Sequence, residues 1–84
     1  MENLMQIAAG TFTKNQPGAV TVPFPRPFTE LPVVVLTPNY ALNSITNVDC
    51  ITNVTLDSFQ VISPNYNPAY VINWIAVTPG AFSL

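Results

Sequence analysis

The sequence predicts an all-β chain, a compact six-stranded antiparallel β-sandwich forming a single domain over residues 1–84. Valine, isoleucine and threonine make up 25 of its 84 residues, the β-branched types whose stiff side chains suit a pleated sheet. Nine prolines leave no uninterrupted stretch of ordinary helix length between Pro17 and Pro38. Turn-forming clusters recur every roughly 8 to 14 residues, the spacing of short strands in a two-sheet fold.

The first strand is expected at 6–13, with Gly10 a bulge or close approach, and it ends in the turn Lys14-Asn15-Gln16-Pro17-Gly18. The second, 19–24, alternates Val20, Val22 and Phe24 against Thr21 and Pro23. Pro23 and Pro25 cannot donate ladder hydrogen bonds, which places this strand at a sheet edge. Residues 25–31 form a constrained connection with Phe28 as its inward anchor. The third strand, 32–37, carries Val33-Val34-Val35-Leu36 and is apolar on both faces, so a partner subunit is expected to cover the side away from the core.

Residues 38–43 are a loop exposing Tyr40. The fourth strand, 46–54, is expected to turn Val48, Cys50 and Val54 inward and Asn47, Asp49 and Asn53 outward. Asp57 belongs to the turn before a fifth strand at 59–62. The turn Ser63-Pro64-Asn65-Tyr66-Asn67-Pro68 leads to the last strand, 69–77, with Tyr70, Ile72, Trp74 and Ala76 on one face and Trp74 in the core. Phe82 and Leu84 give the tail an apolar character suited to docking on a neighbour.

Charged residues are 7% of the chain, and its two cations, Lys14 and Arg26, cannot neutralise a row of phosphates or hold an anionic membrane. No nucleic-acid partner and no membrane insertion are expected. With no histidine and a single cysteine, the Ser-His-Asp and Cys-His nucleophile systems, an intrachain disulfide and a multi-thiolate zinc site are excluded by count. No enzyme activity and no cofactor are expected, and Cys50 reads as a small core hydrophobe. The amino-terminal MENLMQIAAG lacks the positive charge and unbroken apolar stretch of an export signal, so synthesis in the cytoplasm is expected. So apolar and weakly charged a surface calls for partners, and a homo-oligomer is expected.

Four segments then stand in a familiar order: Phe24-Pro25-Arg26-Pro27-Phe28, Pro32-Val33-Val34-Val35-Leu36, Ser58-Phe59 and Ile72-Asn73-Trp74-Ile75-Ala76. Together, over residues 20–77, they resemble the H-type lectin domain, the six-stranded sandwich of snail agglutinins, discoidins and related phage-tail modules. The resemblance implies a trimer, or a hexamer of two trimers, with sugar held at the subunit boundary by an acid of the first loop, an arginine of the fourth strand, and an aromatic with a polar neighbour between strands five and six. Here the arginine position, counted back from Phe59, is Cys50, and the first loop has no acid. The third element is present as Asn65-Tyr66-Asn67.

A planar ring between two amides can stack on a sugar's apolar face and bond its hydroxyls. Candidate carbohydrate-binding residues are therefore Tyr66, Asn65 and Asn67, joined by Tyr40 and by Asp49 as an outward carboxylate. For each, a plain turn or solvated side chain is the competing reading. The function expected is a non-enzymatic, self-assembling, trimeric module of a virion or other surface assembly, of phage tail, fibre or decoration type, with weak glycan recognition. The alternative is a dedicated H-type lectin.

Overall fold

A computed structural model of the chain describes residues 6–39 and 47–78, in which every regular element is a strand. The strands are β1 (Ile7–Thr13), β2 (Gly18–Pro23), β3 (Val33–Asn39), β4 (Cys50–Thr52), β5 (Ser58–Ser63) and β6 (Val71–Val77). They form two three-stranded antiparallel sheets, one in the order β1-β6-β3 and the other β2-β5-β4. The all-β expectation and the six strands are borne out. Tyr40, Phe82 and Leu84 lie outside the described residues.

Period-two alternation decides which side chains meet between the sheets. From the first sheet come Ala8 and Phe12 of β1, Val34 and Leu36 of β3, and Ile72, Trp74 and Ala76 of β6; Val22, Phe59 and Val61 answer from the second. Phe59 and Trp74 meet across the core with ring centroids 5.3 Å apart in an edge-on arrangement, the geometry favoured by the ring quadrupoles. Phe28 is the buried anchor expected of its connection and stands edge-on to Phe24 at 4.8 Å. That connection is held to the β4–β5 turn by Phe24 N–H on the Asp57 carbonyl at 2.9 Å and Phe28 N–H on the Leu56 carbonyl at 2.8 Å.

Gly10 is the close approach read from the sequence. It sits opposite Trp74, and a Cβ there would stand 2.9 Å from the indole Cζ2. The prolines also fall where ladder chemistry allows, Pro23 on β2 and Pro38 on β3, both edge strands. β3 runs past the expected end of its strand, because Pro38 and Asn39 still pair with Ile72 and Val71 of β6.

The fourth strand corrects the sequence reading. β4 is three residues long, and its register sets Ile51 against the buried Val61 and Cys50 against the exposed Ile62. Cys50 is therefore exposed, not a core hydrophobe; Val48 is 80% exposed, and Asp49 faces inward. The cause is Asn53, whose φ of 55° is left-handed. It breaks the alternation, so that Val54 packs on the core out of phase with Val48 and Cys50.

Candidate functional site

At one end of the molecule four inward rows continue past the apolar core into polar residues. The row Ala8, Gly10, Phe12 of β1 continues to Lys14; Phe59 and Val61 of β5 continue to Ser63 and Asn65; Ile72 of β6 is preceded by Tyr70, and Ile51 of β4 by Asp49. The same period that packs the core thus gathers a lysine, a carboxylate, a serine, an amide and a phenol over it.

Lys14 is completely buried, and its ammonium donates to three backbone carbonyls: Gln16 at 2.9 Å, Ser63 at 2.9 Å and Asn65 at 2.7 Å. Three donors meet three acceptors, the condition for burying an ammonium without stranding a proton. Burial holds its pKa below the ordinary value, an effect opposed by the negative charge of Asp49. The Lys14 main chain joins the same loop, its N–H donating to the Tyr70 carbonyl at 2.9 Å and its carbonyl accepting from Asn67 N–H at 3.0 Å.

Asp49 is the acceptor at the centre. Its carboxylate takes the hydroxyls of Ser63 and Tyr70, and the Asn65 amide lies 3.5 Å from Oδ2 while donating at 2.7 Å to the Asn47 carbonyl. The Tyr70 hydroxyl has its pKa raised, first by burial and then by the Asp49 hydrogen bond and charge, with Asn65 working the other way. Among the described residues no buried side-chain nitrogen or oxygen lacks a hydrogen bond. The chemistry of this cluster is to lock the 63–70 loop to the end of β1 and to the approach to β4.

The candidate sugar-binding residues divide accordingly. Asp49 does not project outward as expected; it shares the inward phase of Ile51, which pairs with the buried Val61, and so joins the cluster. Asn65 stands beside it, buried, with its amide donating to Asn47. Asn67 is half-buried, and its Oδ1 accepts Ala69 N–H at 2.8 Å, an Asx turn that fixes the loop. Tyr66 is 57% exposed at the loop's tip. The structure brings Asn65 and Asp49 together and leaves the Tyr66 ring exposed on the hydrogen-bonded 63–70 loop.

Lys14, Ser63 and Tyr70 were not read as partners in the sequence. A signal was there: Lys14 follows Phe12 by two positions, and Ser63 follows Val61 by two, so each inherits an inward orientation. Elsewhere, an open groove of about 470 Å³ runs between edge strands β1 and β2 past Phe12, Val22 and Trp74, and another of about 370 Å³ lies beside Gln6, Arg26 and Phe28. Comparison of the chain with protein-family models, with curated proteins and with solved structures returned no match.

Proposed function

We propose that the chain is a non-enzymatic, self-associating β-sandwich module, a building block of a virion or other surface assembly of tail, fibre or decoration type. One observation carries this reading, the outer face of the β1-β6-β3 sheet. Register aligns Ile7, Val77 and Val33 in one row and Ala9, Ile75 and Val35 in the next, both pointing away from the core. Ile7, Val33, Val35 and Ile75 are between 43% and 54% exposed, and no charged residue interrupts the two rows. An apolar grid three strands wide is the kind of surface that marks an interface. It also supplies the outward side of the Val33–Leu36 segment, for which the sequence asked for cover.

The absence of histidine and the complete internal pairing of the polar cluster support a non-enzymatic role. Native mass spectrometry at micromolar concentration tests the reading: homo-oligomers are expected, and a chain that remains monomeric refutes it.

Carbohydrate recognition is a second reading, favoured by the exposed Tyr66 ring on its hydrogen-bonded loop. Such binding would be weak per site and nearly independent of salt, since it rests on stacking and hydrogen bonds, and it would gain from several copies in one particle. A glycan array on the assembled protein, repeated with Tyr66→Ala, tests it. Glycan binding lost on that substitution supports the site, and the absence of any bound glycan removes it.

A further inference from the structure

The strand edges of the two sheets are not alike. β3 carries Pro38, β2 carries Pro23 and β4 is three residues long, each a feature that keeps an edge from pairing with another chain. β1 has none of these. Its seven residues contain no proline and no charge, and all of them pair one to one with β6, without a bulge. The hydrogen bonds at its two ends set which backbone groups remain. Lys14 N–H donates to the Tyr70 carbonyl at 2.9 Å and Thr78 N–H to the Gln6 carbonyl at 3.1 Å, so residues 6, 8, 10, 12 and 14 form the hydrogen-bonded pairs of the ladder. Ile7, Ala9, Thr11 and Thr13 therefore aim their N–H and C=O groups at the open edge, beside which no strand lies among the described residues.

We propose that β1 of one copy pairs antiparallel with β1 of a second copy about Gly10, joining two sandwiches edge to edge. This rests on the self-association reading and adds a contact to it. Self-complementarity selects the second copy. Centred on Gly10, the pairing sets Ile7 against Thr13 of the copy and Ala9 against its Thr11, so every free N–H and C=O on both strands finds a partner. A register shifted either way strands Ile7 or Thr13 at an end. Between these pairs lie the non-hydrogen-bonded sites, where side chains approach closest, and there Ala8 meets Phe12 of the copy on either side of a glycine pair. Small faces large twice. Phe12 is half-buried beside the open groove of about 470 Å³ between β1 and β2, which also runs past Gly10 and Trp74. The copy's Phe12, on the same face of the sheet, closes the β1 side of that groove.

Each backbone group gives up water to gain a protein partner, so the net gain per bond is small and does not alone offset the freedom lost on association. The edge contact therefore forms within particles that the outer face of β1-β6-β3 already assembles, where the effective concentration of edges is high. Because the edge and the outer face are separate surfaces, one chain can use both, and an assembly with two kinds of contact keeps growing as copies are added.

Backbone amide exchange in the assembled wild-type protein, quenched and read residue by residue, tests the pairing. Ile75→Lys, which blocks the outer face, or wild type diluted to monomer, supplies the reference. In the monomer the amides of residues 8, 10 and 12 should exchange slowly and those of Thr11 and Thr13 fast; in the assembly Thr11 and Thr13 should slow by about tenfold or more. These two lie outside the apolar rows of the outer face, so face packing does not cover them. Equal exchange at Thr11 and Thr13 in both states overturns the edge contact. Protection already present in the monomer overturns it too, giving the edge to a segment of the same chain. A second measurement identifies the partner strand. In a Cys50→Ser background, chains carrying Ile7→Cys are mixed with chains carrying Thr13→Cys and oxidised. Disulfides from 7 to 13 are expected and disulfides from 13 to 13 are not, since those two positions stand roughly 20 Å apart in the paired strands. Ala9→Cys with Thr11→Cys replaces the pair if Ile7→Cys weakens assembly. Oligomers that lack the expected cross-strand disulfide overturn the β1 pairing; wild-type protein that stays monomeric at every concentration refutes the self-association reading itself.

Discussion

The ammonium of Lys14 sits 2.7 Å from the backbone carbonyl of Asn65, a residue 51 positions away in the chain. Through this contact and its two companions on Gln16 and Ser63, the end of β1 holds the loop that presents Tyr66. The fold thus closes one end with a buried charge at the residue that opens the turn read from the sequence.

Lys14→Met keeps most of the aliphatic stem and removes all three donors. Stranding a buried carbonyl costs about 1 to 3 kcal/mol, and two of the three hydrogen bonds are buried. The expected loss is about 2 to 5 kcal/mol in urea unfolding, a large part of the stability of so small a domain. A change within about 0.5 kcal/mol, ordinary for surface positions, would show that the loop does not depend on this tether.

Gly10→Ala should destabilise through Trp74. The added Cβ falls 2.9 Å from Cζ2 and 3.1 Å from Cε2 of the indole. The ring is hemmed in by Phe24 and Phe59, with centroids 5.8 Å and 5.3 Å away. Overpacking of this kind costs about 1 to 3 kcal/mol. Trp74→Ala, which empties the site, should cost about 3 to 5 kcal/mol. Thermal melts of both proteins check the order, with the tryptophan variant the weaker.

Alkaline pH should expose the state of Tyr70. Its folded pKa lies above the ordinary 10.0, so above that pH the folded chain keeps a proton that the unfolded chain has lost. The stabilisation is complete below about pH 10 and is lost as pH rises, by up to about 1.4 kcal/mol per pH unit for one proton. Lys14 acts in the opposite sense. Its folded pKa lies below 10.5, so between the two values stability rises with pH. Tyr70→Phe isolates the terms: urea midpoints followed from about pH 8 to 11 should lose their decline above pH 10 in this variant. An unchanged decline would assign it to another group.

Much of the fold was legible because β1, β2, β5 and β6 alternate without interruption, and the inward row Tyr70, Ile72, Trp74, Ala76 is the one the structure buries. The fourth strand was not. Val48, Cys50 and Val54 suggest one apolar face, and only the left-handed Asn53 separates them into two phases. A positive φ at asparagine leaves little trace in a sequence. Asp49 was misdirected by the same phase error. Its partners Ser63, Asn65 and Tyr70 lie 14 to 21 positions away, beyond what local periodicity reports. Of the proposed sugar-binding group, Tyr66 keeps the exposure that its turn chemistry implied, while the neighbouring amides turn to bonds within the chain.

Self-association through the outer face of β1-β6-β3 is tested most directly by sedimentation velocity of the wild-type protein and of Ile75→Lys over a range of concentrations. Ile75 sits at the middle of the second row of the grid, between Ala9 and Val35. It is already 43% exposed, so a lysine there can reach water in a free monomer. Packed against another copy, the same lysine would be an unpaired charge removed from water. The wild type is expected to sediment as oligomers whose size grows with concentration, and Ile75→Lys as a folded monomer. Wild-type protein that sediments as a monomer throughout, or an Ile75→Lys protein that associates as the wild type does, would contradict the account.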